Sequence, residues 1–184
     1  MVSPLRLSVD DSLLLMIDIQ EKLAPVMSDP RRVIHNGTCL MRAAARLGVP
    51  VVVTEQYPQG IGPTVFDLRE LMPADGPVPK LHFSSADEPE ALARIERLGR
   101  RQIVVAGIEA HICVMQSALG LLEHGFQVFV AADACASRRG GNETLAMDRL
   151  RQAGAVVVSV EMVLFEWLRR AGTPEFKDLM PLIK

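Results

Sequence analysis

Short apolar segments alternate with longer amphipathic segments along this chain. Residues 12–19, 49–55, 101–107, 126–133 and 155–160 are mostly apolar, and residues 77–83 form a shorter candidate of the same kind. The segments between them predict helices at residues 29–48, 87–99, 111–124 and 141–154, followed by two terminal helices. Strands that are apolar on both faces and alternate with helices are typical of a parallel sheet covered on both sides. The pattern therefore predicts an α/β fold with three layers, α/β/α.

The length and charge of the chain narrow its functional class. With 184 residues it is long enough to bury a sizeable core, and we expect a single domain over residues 1–184. The formal net charge is −2, so the chain has no basic excess. We therefore expect neither nucleic acids nor membrane surfaces as partners.

The cysteine content indicates a reducing compartment. Cys39, Cys113 and Cys135 are odd in number and form no CxxC pair, which argues against a disulfide framework or a structural zinc site. The apolar run near the N-terminus is short and is interrupted by Asp18, so it predicts a buried strand rather than a signal peptide or a membrane span. We expect a cytoplasmic protein.

Cys113 lies where a strand leads into a helix, in the stretch VVAGIEAHICVMQSALGLLEHG. A free cysteine is commonly a buried packing residue, and that is one interpretation of this position. The first turn of a helix, however, offers unpaired backbone N–H groups and the positive end of the helix dipole. Such surroundings lower a thiol pKa from about 8.5 towards neutrality. The position therefore predicts a reactive thiol with a lowered pKa.

Two charged residues interrupt apolar segments and are candidates for the same site. Asp18 lies in LLLMIDIQ, where a lone charge is costly unless it is paired or hydrogen-bonded. It is either a carboxylate satisfied by backbone amides or a base at the carboxyl edge of the sheet. Lys80 lies in GPVPKLHF. It is either a surface lysine with a buried stem or a partner that keeps the carboxylate ionised and stabilises a thiolate.

Other polar residues give weaker signals. None of the four histidines belongs to an HxH or HExxH pattern, so we expect no metal site. His82 or His111 could pair with Cys113 in a Cys–His couple, and this alternative stays open. The loop at 56–64 is rich in glycine and proline and follows the second strand. We expect it at the carboxyl edge of the sheet, where binding loops gather in open α/β folds.

The order of these candidates along the chain resembles a known family. An aspartate ends the first strand, a lysine lies near a short third strand, and a cysteine begins the helix after the next strand. The matching segments are LLLMIDIQEKL, VTEQYPQGIGPT, PKLHFSS, VAGIEAHICVMQSALGL, VAADACASR and FKDLMPLIK. Over nearly its whole length the chain resembles the isochorismatase-like cysteine hydrolase superfamily, and within it the isochorismatase domain-containing subgroup. The resemblance implies a mostly parallel six-stranded sheet in the order 3-2-1-4-5-6, with a ligand crevice between strands one and four.

The resemblance also implies roles for individual residues. Asp18 would be the general base, Lys80 would orient the site and stabilise negative charge, and Cys113 would be the nucleophile. The peptide bond between Ile108 and Glu109 would be cis. The backbone N–H groups of Glu109 and Cys113 would form an oxyanion hole.

The expected substrate pocket surrounds these residues. Its predicted lining residues are Gln20, Glu55, Gln56, Tyr57 and Phe83. The segment EQYPQGIGPTVFD contains no histidine, so a metal that polarises a pyridine nitrogen would have no ligands here, which disfavours nicotinamide as a substrate. Isochorismatases of siderophore and phenazine pathways lack the cysteine, so the presence of Cys113 disfavours vinyl-ether hydrolysis without a covalent step.

The sequence therefore predicts a hydrolase that needs neither metal nor cofactor. It would act on a small amide or a related C–N or carbonyl substrate through a thioester on Cys113. The alternatives are a catalytically weak binding or regulatory protein on the same fold, an isochorismate-type vinyl-ether hydrolase, and a redox-sensing thiol. Residues 112–122 are polar only at Gln116 and Ser117. A helix that is apolar nearly all round is buried on most sides, so we expect a homo-oligomer, a dimer or larger.

Overall fold

A single parallel sheet forms the centre of the computed structural model, which describes residues 5–183. Within this range the strands are β1 (Ser12–Ile17), β2 (Val51–Gln56), β3 (Val78–Lys80), β4 (Gln102–Ile108), β5 (Gln127–Ala136) and β6 (Val156–Val158). All neighbouring strands are parallel, and their order across the sheet is 3-2-1-4-5-6. The predicted fold class and strand order are confirmed.

Helices cover both faces of the sheet. Among residues 5–183 the α-helices are α1 (Pro30–Leu47), α2 (Pro58–Ile61), α3 (Phe66–Arg69), α4 (Pro89–Arg97), α5 (Met115–Glu123), α6 (Gly140–Gln152), α7 (Val160–Leu168) and α8 (Pro174–Leu179). A π-helical turn, Ala110–Val114, precedes α5. No helix in this part of the chain is both long and apolar enough to cross a membrane.

The central strands divide the core into two layers because successive side chains of a strand point to opposite faces. Leu14 and Met16 of β1 pack in the layer that also contains buried residues of α1, α7 and α8. Leu13, Leu15 and Ile17 pack in the other layer, with buried residues of α4, α5 and α6. Both faces of β1 are fully buried, which explains its nearly continuous apolar sequence.

Several segments differ from the prediction. Strands β1 and β6, predicted over residues 12–19 and 155–160, are limited to Ser12–Ile17 and Val156–Val158. The loop expected at 56–64 contains a short helix, α2, after Tyr57. Strand β5 was predicted to end at residue 133 but continues to Ala136, because a shift in register lets Cys135 and Ala136 pair with Gly107 and Ile108 of β4.

Strands β1 and β4 approach each other closely at their carboxyl ends. Gly107 lies opposite Ile17 and has a φ of +139°. A Cβ atom at this position would lie 2.1 Å from the carbonyl oxygen of Ile17, so a side chain cannot fit without moving the strands apart. This contact fixes the spacing where β1 ends before Asp18 and β4 leads towards Cys113.

Candidate functional site

Asp18 and Lys80 form an ion pair in which both side chains are fully buried. The Lys80 Nζ atom lies 2.8 Å from Asp18 Oδ2, and each side chain has an exposed fraction of 0%. Asp18 follows β1 directly in the left-handed region, with a φ of 56°. The alternative of a surface lysine with a buried stem is therefore wrong, and the carboxylate is balanced by a charge rather than by backbone amides alone.

The ammonium group of Lys80 lies in a cage of oxygen atoms. Nζ donates hydrogen bonds to Gln56 Oε1 at 2.6 Å, to the carbonyl of His82 at 3.1 Å and to the carbonyl of Phe83 at 3.0 Å. Together with Asp18 Oδ2 at 2.8 Å, four oxygen atoms surround an ammonium group that has three hydrogen atoms. All three hydrogens are therefore shared among these oxygens.

Thr54 is a site residue that sequence reasoning missed. Its Oγ1 donates a hydrogen bond of 2.8 Å to Asp18 Oδ1. Thr54 and Gln56 are two residues apart on β2, so they share a face of the strand, and both contact members of the buried ion pair. The signal that could have revealed them is the pair of polar residues at alternating positions where an apolar strand ends.

Burial raises the pKa of Asp18 above its ordinary value. The positive charge of Lys80 and the hydrogen bond from Thr54 act in the opposite direction. Asp18 therefore combines two properties of a general base, which are a proton affinity above that of an exposed carboxylate and a neighbouring cation that stabilises its ionised form.

Cys113 lies beside this ion pair, in the π-helical turn that precedes α5. Its exposed fraction is 5%, and its thiol donates a long hydrogen bond of 3.9 Å to Gln56 Oε1. Burial and, second, the negative charge of Asp18 raise the pKa of the Cys113 thiol to about 12, while Lys80 and the backbone amide of Glu109 act to lower it. The predicted lowering of this pKa is wrong, because desolvation beside a carboxylate outweighs the helix end. The resting thiol is protonated near neutral pH.

The peptide bond between Ile108 and Glu109 is cis. The backbone amide of Glu109 acts to lower the pKa of the Cys113 thiol. The Glu109 carboxylate accepts hydrogen bonds from the backbone N–H of Arg138 at 3.1 Å and from its Nε at 2.9 Å. The backbone of Glu109 thus influences the thiol, while its side chain is held by Arg138.

The histidines do not form the alternative Cys–His couple. His82 Nδ1 lies 3.1 Å from the Glu88 carboxylate. His111 contacts Ser137 Oγ at 2.9 Å and the side chain of Asn142 at 3.2 Å. Neither ring has a hydrogen bond to Cys113 within residues 5–183. In the same range, no group of three or more His, Cys, Asp or Glu side chains could hold a metal ion.

Gln20 and Glu55 bind backbone rather than an open cavity. The amide group of Gln20 donates to the carbonyls of Gln56 at 3.0 Å and Gly62 at 2.6 Å, and its oxygen accepts from the Gln56 backbone N–H at 2.8 Å. Glu55 Oε1 accepts from the backbone N–H and the hydroxyl of Thr64, at 2.7 and 2.8 Å. Both residues hold the loop after β2 against the end of the sheet.

A cavity of about 500 Å³ lies next to this site. It is lined by Tyr57, Pro58, Gln59, Pro79, Lys80, Leu81, His82 and Glu88. Tyr57 lines this cavity, whereas Cys113 and Asp18 do not. Phe83 has a side chain that is 54% exposed, and it contributes its backbone carbonyl to the Lys80 cage.

Comparison with known proteins identifies the family. Residues 12–162 match the isochorismatase domain family. The secreted isochorismatase effector Isc1 of Phytophthora sojae is 37% identical, over 97% of this chain and 87% of its own length. Isochorismatase domain-containing protein 2 of Danio rerio is also 37% identical, over 97% of this chain and 89% of its own length. The chain belongs to the isochorismatase family, and its relatives include the isochorismatase domain-containing proteins, as predicted.

Solved structures share the whole fold. A Caenorhabditis elegans protein described as MAR1 ribonuclease is 34% identical, with a TM-score of 0.90 over 97% of this chain and 92% of its own. The YcaC protein of Escherichia coli, described as an octameric hydrolase of unknown specificity, is 26% identical, with a TM-score of 0.92 over 99% and 92%. YcaC of Pseudomonas aeruginosa, described with hexane-2,5-diol and covalent acrylamide, is 25% identical, with a TM-score of 0.92 over 99% and 93%. The fold is that of an isochorismatase-family hydrolase.

Proposed function

We propose that this chain is a metal-independent cysteine hydrolase of a small amide or a related C–N or carbonyl substrate. Cys113 is the nucleophile, Asp18 the general base, and Lys80 the residue that keeps Asp18 ionised. The observation that carries the proposal is a fully buried ion pair beside a buried thiol. Burying two charges costs more free energy than filling the same volume with apolar residues, so stability alone does not explain the pair. Strongly perturbed titratable groups of this kind cluster at functional sites.

The first half of the reaction forms a thioester. Asp18 Oδ2 accepts the thiol proton as Cys113 Sγ attacks the carbonyl carbon. The carbonyl oxygen becomes an oxyanion, which the backbone N–H groups of Glu109 and Cys113 stabilise. Asp18 then gives its proton to the leaving nitrogen. The C–N bond breaks, and ammonia or an amine departs.

The second half hydrolyses the thioester. Asp18 takes a proton from a water molecule, whose oxygen attacks the thioester carbon. The C–S bond breaks, the carboxylic acid leaves, and the proton returns to Cys113. Because the pKa of the thiol is raised to about 12, thiolate is scarce before substrate binds, and the mechanism depends on a base in place at the moment of attack.

Two observations support a small-molecule substrate and a nucleophilic thiol. The cavity beside Lys80 has a volume of about 500 Å³, which suits a small molecule, and its lining combines apolar with polar and charged side chains. The Pseudomonas aeruginosa relative is described with acrylamide bound covalently, and acrylamide is an electrophile whose double bond thiols attack, so its attachment fits a nucleophilic thiol. The pocket proposed here comprises this cavity and the adjacent residues Gln56 and Phe83, with Gln20 and Glu55 holding its wall.

Assembly into a homo-oligomer is part of the same proposal. Leu119 and Leu122 of α5 are only partly buried within one chain, and a second copy could cover them. The Escherichia coli relative is described as an octamer. We propose that each copy is a single domain. The cytoplasmic location stays a prediction, since one relative is described as secreted.

Ribonuclease activity, named for the Caenorhabditis elegans relative, is less well supported here. The net charge is −2, whereas binding to a phosphate backbone depends on basic groups. The buried thiol and ion pair suit attack on a carbonyl group. The isochorismate-type vinyl-ether reaction has no use for a nucleophilic thiol.

The test is ammonia release from propionamide, benzamide, nicotinamide and acetamide. We expect turnover of at least one amide by the wild-type protein, unchanged by EDTA, and loss of about 10³-fold or more in Cys113→Ala, the size typical for removal of a catalytic nucleophile. Cys39→Ala is the matched control, because Cys39 is also a buried free thiol and lies in α1. Full activity of Cys113→Ala, or loss of wild-type activity after EDTA treatment, would contradict the proposal. An inert thiol with no turnover would favour the binding-protein alternative.

A further inference from the structure

Gln56 connects the two reactive parts of the site. Its Oε1 accepts a hydrogen bond of 2.6 Å from Lys80 Nζ and a long hydrogen bond of 3.9 Å from the Cys113 thiol. The residue is buried at the end of β2. A single carbonyl oxygen therefore contacts both the cation that pairs with Asp18 and the sulfur atom.

The orientation of the Gln56 amide is determined by its surroundings. Its Nε2 donates to the carbonyl of Leu81 at 2.9 Å. The reversed orientation would place an NH₂ group against the Lys80 ammonium and a carbonyl oxygen against the Leu81 carbonyl. The backbone N–H and C=O of Gln56 are both bound by the side chain of Gln20. Gln56 thus has fixed backbone and side-chain positions.

Gln56 also controls where the hydrogen atoms of Lys80 point. Four oxygen atoms, from Gln56, His82, Phe83 and Asp18, surround the three ammonium hydrogens, so none is left for the Cys113 sulfur. A hydrogen bond from Lys80 to the sulfur would stabilise the thiolate. An acceptor at the sulfur stabilises the thiol instead. Both effects of Gln56 favour the protonated form of Cys113.

We propose that Gln56 is a positioning residue that holds Lys80 against Asp18 and keeps the resting Cys113 thiol protonated until Asp18 removes the proton. This inference rests on the proposed function, since it assigns a role within the same site. The effect of Gln56 adds to burial and to the negative charge of Asp18, both of which raise the pKa of the Cys113 thiol. A protonated resting thiol resists oxidation and unspecific electrophiles, and becomes nucleophilic only when a carbonyl carbon is present.

The test is the rate at which Cys113 reacts with methyl methanethiosulfonate from pH 6 to pH 10, followed by peptide mass spectrometry. Below the thiol pKa this rate is proportional to the thiolate fraction. Gln56→Met removes the acceptor and frees an ammonium hydrogen, so the rate at pH 8 is expected to rise about tenfold, the equivalent of a downward shift of about one pKa unit. Gln56→Glu adds a negative charge beside the sulfur, so the rate at pH 8 is expected to fall about tenfold.

Gln116→Glu is the matched control. It makes the same chemical change at an exposed position of α5, three residues after Cys113, and its profile is expected to match the wild type. If Gln56→Met does not fold, Gln56→Asn replaces it. This variant keeps an amide but withdraws its oxygen by one methylene, and the same direction of shift is expected.

Opposite shifts for the two Gln56 variants support the inference. Shifts in the same direction, no shift, or an equal shift in Gln116→Glu would overturn it. The measurement uses no amide substrate. A protein that shows opposite shifts but releases no ammonia would contradict the proposed function and leave the role of Gln56 intact. A protein that hydrolyses amides but shows no shift would contradict the role of Gln56 and leave the proposed function intact.

Discussion

The Lys80 ammonium lies 2.8 Å from the Asp18 carboxylate, and neither side chain has any exposed surface. Removing one partner of such a pair leaves the other charged, buried and unpaired. The pair also links β3 to the end of β1, two elements that are not neighbours in the sheet. It therefore bears on stability as well as on chemistry.

Lys80→Met tests the contribution of the pair to stability. We expect it to lower the free energy of unfolding by about 3–5 kcal/mol, since Asp18 is left without its cation. The double variant Lys80→Met with Asp18→Asn removes both charges and should be more stable than the single Lys80→Met variant. Urea denaturation of the two single variants and the double variant measures these losses. A double variant whose loss equals the sum of the two single losses would show that the two groups are not coupled.

Asp18→Asn is expected to change the chemical reactivity of the Cys113 thiol and the rate of amide turnover in opposite directions. After burial, the negative charge of Asp18 is the largest cause of the raised pKa of Cys113. Removing this charge lowers that pKa, so the thiolate fraction at pH 8 rises and reaction with methyl methanethiosulfonate becomes faster. Amide turnover should nevertheless fall about 10²–10⁴-fold, because the general base is lost. Turnover that stays at the wild-type rate would exclude Asp18 as the base.

Thr54→Val tests the hydrogen bond to the carboxylate. The Thr54 hydroxyl acts to lower the pKa of Asp18. Without it that pKa rises, and Asp18 is protonated and inactive as a base over a wider acidic range. We expect the acid limb of the kcat/KM profile to move to higher pH by about one unit. If the acid limb of the kcat/KM profile stays at the wild-type pH, a group other than Asp18 determines its position.

Gly107→Ala tests the close approach of β1 and β4. The new Cβ would lie 2.1 Å from the Ile17 carbonyl oxygen, so the strands must separate next to Asp18 and the turn that contains Cys113. We expect a stability loss of about 3 kcal/mol or more, together with loss of turnover. Gly99→Ala is the control, because Gly99 has a φ of +65° but no atom lies within 4 Å of the place that a Cβ would take. It should cost about 1 kcal/mol and leave turnover unchanged. Equal effects of the two substitutions would contradict the steric argument.

The sequence allowed Asp18, Lys80 and Cys113 to be grouped because each interrupts or follows an apolar strand. It could not predict the protonation state of the thiol. The helix end that favours a thiolate is visible in the sequence, whereas the depth of burial and the distance to Asp18 depend on tertiary packing. The pKa of Cys113 is therefore raised where a lowering was predicted.

The sequence also did not reveal which residues contact the ion pair. Thr54 lies 36 positions from Asp18 along the chain, and only the parallel pairing of β1 with β2 brings its hydroxyl to the carboxylate. Gln20 was expected in the pocket because it resembles a position that lines the family's site, and Glu55 because the loop after the second strand was expected to form a pocket wall. Their side chains instead hydrogen-bond the backbone of the following loop. The spacing of residues along the sequence does not reveal that these backbone groups are their partners.

The most direct test of a thioester on Cys113 is product partitioning with hydroxylamine, using the amide of the four that is hydrolysed fastest. An acyl-enzyme can be attacked by hydroxylamine instead of water, so the account predicts a hydroxamate whose share of the product rises with hydroxylamine concentration. Direct attack of water on the bound amide forms no such intermediate. A free carboxylic acid as the sole product at every hydroxylamine concentration, with ammonia released at the full rate, would contradict the account.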